Sequence, residues 1–211
     1  MRPTPTLVVA LGTVLAAAGA QTDHAPAVTV RVYDLAGVSG KTLSKAESEA
    51  QHILRRAGIE TEWLACPKNR DEESRYPACQ KPISPADVIL QIVPQAMEGY
   101  EVGPMAFGFA LPSGDGGPAR HAYVFFRRVE QATRENNKVS LVTLLSYVIV
   151  HEIGHLLLGP AMHSSRGIMR AHWQPEEFRD MESGRLIFPS QQARVLQARV
   201  EERVKSETVA R

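Results

Sequence analysis

The sequence has almost no excess charge and lacks a cluster of basic residues. Its 24 Lys and Arg residues are interspersed with 23 Asp and Glu residues, which leaves a formal net charge of +1. Domains that bind nucleic acids concentrate positive charge on one face, so a nucleic-acid partner is not expected. The chain also contains no internal repeats and no long low-complexity segments, so a repeat architecture is not indicated.

The sequence has few apolar segments whose length approaches that of a membrane span. Met1 and Arg2 are followed by an apolar stretch over residues 7–18, which is too short to span a bilayer. Ala18-Gly19-Ala20 fits a signal-peptidase site, so residues 1–20 are predicted to be a signal peptide. We therefore expect a secreted or periplasmic protein with no integral membrane span in the mature chain, which also argues against an intramembrane protease.

The portion after the signal peptide has a length typical of one domain. Roughly 190 of the 211 residues remain, enough for a single hydrophobic core. We predict one domain over residues 27–205 and a monomer. The chain has only two cysteines, Cys66 and Cys79, and an exported protein with this spacing is predicted to form a disulfide.

The pattern that carries chemistry is His151-Glu152-Ile153-Gly154-His155. Residues four apart lie on the same face of a helix, so His151 and His155 can bind one metal ion together. Glu152 can then act as general base on a water at that metal, as in zinc hydrolases with the HExxH motif. The preceding residues, 140–150, are apolar on nearly every side and predict a buried helix. Two histidines and a carboxylate are costly to bury without a partner, and a metal ion satisfies all three.

The residues after this helix offer a third ligand. Gly159 and Pro160 are predicted to end the helix, because glycine favours a left-handed cap and proline cannot continue it. The chain can then turn back so that His163 binds the metal, which leaves one position for water and defines a catalytic zinc site. Glu176 or Glu177 on a later helix would instead make a His-His-Glu site, and the remaining candidate is His172.

The motif resembles the signature of the metzincin metallopeptidases, HExxHxxGxxH followed by a turn that carries a methionine. The matching residues are His151, Glu152, His155, Gly159, His163 and Met169. A group of small exported bacterial proteins is more similar still, with HEIGHLLLG, then HS, GIM and a tryptophan that corresponds to Trp173. Compared with the family, Gly159 and His163 lie one and two residues later, and Arg170 stands where a tyrosine is usual.

The resemblance implies a fold and agrees with the predicted elements. Alternating or apolar patterns predict strands over 28–33, 59–64, 86–93, 107–111 and 121–126, and helices over 41–57, 139–158 and 190–204. The expected fold is α+β and metzincin-like, or zincin-like. It has a twisted mixed sheet of about five strands, a backing helix, a central metal-binding helix and a small C-terminal helical subdomain. By its position, the segment 105–111 would bind an extended substrate at the sheet edge, and Met169 would be a structural residue beneath the metal.

The predicted function is therefore a secreted zinc metalloendopeptidase that acts on peptide or protein substrates. Zn²⁺ would be held by His151, His155 and His163, and Glu152 would be the catalytic base. The alternative is an exported zinc-binding protein with little or no turnover. A cysteine that caps the zinc, as in latent matrix metalloproteinases, is disfavoured because few residues separate the cleavage site from the first strand.

Overall fold

The structure is a computed structural model that describes residues 27–97, 99, 102–114, 117–159 and 162–209. The predicted signal peptide and Pro160 lie outside the described residues. The elements, in chain order, are a strand β1 (Ala27–Asp34), a helix α1 (Gly40–Arg56), β2 (Glu60–Ala65), β3 (Asp87–Val93), β4 (Gly108–Leu111), β5 (His121–Phe125), α2 (Phe126–Glu135), α3 (Leu141–Leu158), α4 (Pro175–Glu182) and α5 (Ser190–Val209).

The five strands form one mixed sheet in the order β2-β1-β3-β5-β4. Four neighbouring strands, β2, β1, β3 and β5, run parallel to one another, and β4 pairs antiparallel with β5 at one edge. Parallel strands need crossover connections, and α1 supplies the one between β1 and β2. The predicted strands are all present, and no bound differs from its predicted value by more than one residue. The strand β4 lies at the edge of the sheet, the position expected for the segment 105–111.

One face of the sheet packs against α1 and α3 in a single core. Side chains that alternate along β1 face this core, namely Val28, Val30 and Val32, each at most 2% exposed. The helix α1 presents Ala46, Ala50, Ile53 and Leu54 to it, a spacing that places the four on one side of the helix. Ser39 caps this helix, since its side chain accepts a hydrogen bond from the Thr42 backbone N–H at 3.2 Å.

The metal-motif helix α3 is buried on nearly every side, as its composition predicts. Ser140 caps its first turn by accepting from the Thr143 N–H at 3.1 Å, and all residues from Thr143 to Leu158 are buried. It ends at Gly159, where the backbone φ is 114°, a value that favours glycine. Among the described residues it alone is long and apolar enough for a membrane span, but most of it is enclosed by the rest of the domain.

The helix α2 begins directly after β5 and was not predicted. The helix α4 is the later helix that was expected to carry Glu176 and Glu177, although its bounds were not predicted. Both border the cleft described below. The last helix also continues to Val209, five residues beyond its predicted end.

The other face of the sheet carries the predicted disulfide. Cys66 and Cys79 are joined, with Cα atoms 5.8 Å apart. Arg31 on β1 pairs with the buried carboxylate of Asp87 at 2.6 Å. The same guanidinium donates hydrogen bonds to three backbone carbonyl oxygens at and just after the second cysteine, those of Cys79, Lys81 and Pro82. The disulfide segment is therefore tied to the sheet by a covalent bond and by a buried ionic network.

Candidate metal centre

Three histidine side chains converge in a cleft beside α3. The Nε2 atom of His155 lies 3.1 Å from Nε2 of His151 and 3.2 Å from Nε2 of His163. The three ligand atoms lie within 4.8 Å of one another, and no other group of three metal-ligating side chains this compact occurs in the described part of the chain. His151 and His155 come from one face of the helix, whereas His163 comes from the irregular segment after it.

The hydrogen bonds around His151 select which of its nitrogens faces the centre. Its Nδ1 lies 2.8 Å from the carbonyl oxygen of Ile168. A carbonyl oxygen can only accept, so Nδ1 carries the proton and Nε2 keeps its lone pair. An imidazole oriented by a backbone carbonyl in this way is the usual arrangement of a metal ligand. The Ile168 carbonyl also accepts from Trp173 Nε1 at 3.2 Å.

Two of the three nitrogen separations in the triad, and the electrostatics of all three imidazoles, suit a tetrahedral metal. Nitrogens held at about 2.0–2.1 Å from zinc lie about 3.3–3.4 Å apart, close to the observed separations of 3.1 and 3.2 Å. Burial lowers the pKa of His151 to about 3 and that of His155 to about 4. Burial, together with His172, also lowers the pKa of His163. All three imidazoles are therefore neutral at physiological pH, which is the form that binds metal.

Glu152 is a buried carboxyl beside the triad. It is 4% exposed, and burial raises its pKa to about 8. Its Oε2 atom has no hydrogen-bond partner among the described residues, which is costly for a carboxylate unless something in the cleft binds it. Gly108 on β4 is packed against this side chain, because a Cβ atom there would lie 2.9 Å from Glu152 Oε1 and 2.3 Å from the Tyr123 carbonyl oxygen.

Met169 lies directly beneath the metal-motif helix. It is 0% exposed, and its sulfur fills the space left by the missing side chain of Gly154, which lies between the two helix histidines. Tyr147, one turn earlier on the helix, is buried and donates to the Leu186 carbonyl at 3.0 Å. Both side chains therefore pack against the helix or the segment beside it and support its position.

Two aromatic side chains at the centre were not predicted to meet. The ring of Trp173 packs edge-on against His151 with centroids 5.3 Å apart. It also stacks on Phe107, just before β4, with centroids 6.2 Å apart. Trp173 therefore packs against the His151 imidazole and joins the segment after the turn to the edge of the sheet. No local sequence pattern indicates the contact between Phe107 and Trp173.

The other candidate ligands lie outside the triad. Glu176 pairs with Arg179 at 2.9 Å. Glu177 pairs with Arg170 and accepts from the Gln174 backbone N–H at 2.7 Å, which caps α4. His172 lines the cleft but does not belong to the cluster.

The triad opens into a cleft of 1220 Å³ that runs between β4 and the segment after the methionine turn. Its walls are largely apolar, with Phe107, Phe109 and Phe178 among them, and α2 contributes Ala132 and Glu135. A cleft of this size, with a few polar groups converging at one point, has the features of a substrate site.

Comparison with known proteins identifies the fold. No family model matches the chain, and no curated protein is detectably similar to it. Matches were found to 11 solved chains. One of them is archaemetzincin from Methanopyrus kandleri, which is 14% identical, with a TM-score of 0.52 over 85% of this chain and 99% of that one. The predicted α+β, zincin-like architecture is therefore confirmed.

Proposed function

We propose that this chain is an exported zinc-dependent peptidase. The observation that carries the proposal is the convergence of three neutral imidazoles on one point beside a buried carboxyl, in a largely apolar cleft. The likeness of the fold to archaemetzincin supports it. An all-imidazole set also suits zinc better than Mg²⁺ or Ca²⁺, which prefer oxygen ligands.

Each residue of the centre has a distinct task in this proposal. His151, His155 and His163 would hold the ion through their Nε2 atoms. A bound zinc ion acidifies a water molecule and polarises a substrate carbonyl. Glu152 would accept a proton from the attacking water and then donate it to the leaving amine. A cation nearby favours the ionised form of Glu152, which offsets the effect of burial on its pKa.

The sheet edge would orient the substrate. The strand β4 lies at the edge of the sheet and borders the cleft. An extended peptide can add to such an edge through main-chain hydrogen bonds while its side chains occupy the adjoining walls. The chain segment before β4 is held in place by Arg128, which donates to the carbonyl oxygens of Gly103 and Ala106.

The export signal is proposed from residues 1–20 and supported by the disulfide, since disulfides persist in oxidising compartments. Intact-mass spectrometry of protein recovered from the periplasm or the medium of an expressing bacterium should show a chain that begins at Gln21. Recovery of the intact N-terminus in the cytoplasmic fraction would contradict export.

Glu152→Gln tests the catalytic role. The variant should keep the fold and the zinc ion but hydrolyse casein or a peptide library about 10²–10⁴-fold more slowly, which is the usual contribution of a general base. Glu47→Gln is the matched control, because the pKa of Glu47 on α1 is also raised by burial and the residue lies outside the cleft. Equal activity of Glu152→Gln and wild type would refute the role. A zinc-loaded wild type that cleaves no peptide would instead indicate a zinc-binding protein without turnover.

A further inference from the structure

Arg170 follows the methionine of the turn and projects into the same cleft as the triad. Its backbone is fixed by the turn, because its N–H donates to the Gly167 carbonyl at 3.2 Å and it forms an isolated β-bridge with Ser164. The position of the side chain is therefore set by the same turn that places Met169 beneath the metal-motif helix.

The guanidinium of Arg170 is also oriented. Glu177 binds Nη1 through its Oε1 atom, and its other carboxylate oxygen is held by the Gln174 N–H. The Glu177 side chain is only 12% exposed, whereas that of Arg170 is 37% exposed. A guanidinium presents five N–H donors. Glu177 is the only partner of the Arg170 guanidinium among the described residues, and it binds Nη1. The Nε and Nη2 atoms of Arg170 are therefore available to a ligand.

Arg170 is the only Lys or Arg among the described residues that line the cleft. Outside the metal centre, one carboxylate side chain is found among the described residues that line the cleft, that of Glu135. It accepts a hydrogen bond at 2.7 Å from Gln131 on the same helix. The cleft therefore combines apolar walls with one oriented guanidinium, which lines the same cleft as the triad. Such a fork matches the geometry of a carboxylate.

We propose that Arg170 forms an anion subsite that binds an Asp or Glu side chain of the substrate, close to the bond that is cut. This inference rests on the proposed peptidase function and adds a substrate class to it, namely acidic peptides. Glu177 serves as the positioning residue that holds the guanidinium towards the cleft.

The size of the preference follows from the surroundings of Arg170. A buried hydrogen-bonded charge pair can change binding by about ten- to hundredfold. Arg170 is partly exposed and already shares its charge with Glu177, which favours the lower end of this range. We expect a peptide with Glu at the preferred position to have a kcat/KM about tenfold above that of the Gln peptide. The difference should appear mainly in KM and should shrink at high salt.

The test uses the zinc-loaded full-length mature protein and pairs of quenched fluorescent peptides. The members of each pair differ only by Glu or Gln at one position, which is moved along three residues on either side of the cleavage site. Arg170→Leu should reduce the Glu/Gln ratio of kcat/KM to near one. Arg179→Leu is the matched control, because Arg179 is also paired with a glutamate on α4 but does not line the cleft. It should leave the ratio at the wild-type value.

A second variant keeps the ion pair while it changes the charge in the cleft. Arg170→Glu combined with Glu177→Arg preserves opposite charges at the two positions, so the turn should stay attached to α4. This variant should prefer Lys over Glu at the same substrate position. Thermal unfolding and zinc content of each variant check that the fold and metal centre are intact.

The outcomes separate this inference from the function on which it rests. A wild type that cuts Glu and Gln peptides equally well, or a ratio that survives Arg170→Leu, overturns the subsite and leaves the peptidase intact. A fall in kcat of the same size for both peptides also overturns it, because Arg170 would then act on something that every substrate shares. A wild type that cuts no peptide at any position removes the peptidase function itself.

Discussion

Gly154 lies on α3 between the two helix histidines, where a side chain would collide with Met169. A Cβ atom there would lie 2.5 Å from Met169 Sδ, 3.2 Å from its Cε and 3.5 Å from Phe188 Cε1. Ordinary contacts between such atoms are about 3.5–4.0 Å, so the sulfur would have to move by about 1 Å. Met169 is 0% exposed and Phe188 is 5% exposed, which leaves the methionine no route into solvent. Gly154→Ala should therefore strain the support of the metal centre.

The net effect is the difference between two terms. Alanine favours a helix over glycine by about 1 kcal/mol. Overpacking a core costs about 1–3 kcal/mol, and the displacement required here indicates the upper part of that range. Gly154→Ala should lower the free energy of unfolding by about 1–2 kcal/mol, which corresponds to a fall in Tm of about 2–8 °C for a domain of this size.

A double-mutant cycle isolates the contact. Tm and urea unfolding would be measured at fixed free zinc for Gly154→Ala, Met169→Ala and the double variant. Met169→Ala alone should cost about 2–5 kcal/mol because it leaves a cavity. In that background the added methyl group occupies part of the cavity, so Gly154→Ala should be neutral or stabilising. Gly40→Ala is the control, since a Cβ there meets nothing within 4 Å. A Gly154→Ala protein as stable as wild type, with no coupling to Met169, would refute the packing argument.

Three further results are expected. Gly108→Ala should keep its zinc but lower kcat by about 10²-fold, since the new methyl group would displace Glu152 and the β4–β5 pairing; unchanged kcat would contradict this. Acid should release the metal and destabilise the fold, because the helix histidines have folded-state pKa values of about 3 and about 4 while the unfolded chain takes up their protons near pH 6.5. Their contribution to stability is therefore fully present above about pH 6.5 and is lost as the pH falls through the folded-state values towards about 3; zinc still bound below about pH 3 in an equilibrium dialysis would contradict a histidine-only ligand set. Replacing both Cys66 and Cys79 with Ser should lower the free energy of unfolding by about 3 kcal/mol or less, because the disulfide closes only a short loop. Zinc binding should be unchanged, since Arg31 still ties this segment to the sheet. Loss of zinc in this variant would contradict the independence of the disulfide and the metal centre.

The parts of the fold that the sequence predicts are those with strong periodicity. The five strands and α1 have alternating or one-sided apolar patterns, and α3 is apolar all round, so their positions follow from burial alone. The helix α2 was missed because it follows β5 without any loop and buries only Val129 completely. Its apolar stripe of Phe126, Val129 and Ala132 is narrow, but the helical spacing of these residues could have predicted the helix.

The same contrast applies to the metal centre. The spacing of His151 and His155 determines their common face, so their approach could be predicted from helix geometry. The position of His163 depends on the path of the irregular segment after Gly159, and no sequence periodicity predicts that path. The three-dimensional structure shows that Nε2 of His163 lies 3.2 Å from Nε2 of His155. Contacts made across the cleft, such as that between Phe107 and Trp173, join segments more than sixty residues apart along the chain. No local pattern specifies them.

The central claim is that His151, His155 and His163 together hold one divalent ion. Zinc content and chelator-competition affinity of the purified mature protein test it directly. We predict one zinc per wild-type chain, unchanged binding in Glu176→Ala, and an affinity lowered by more than about 100-fold in His163→Ala, because losing a ligand should exceed the usual cost of losing its supporting contacts. A folded wild-type protein that contains no zinc and takes up none on titration would contradict the account.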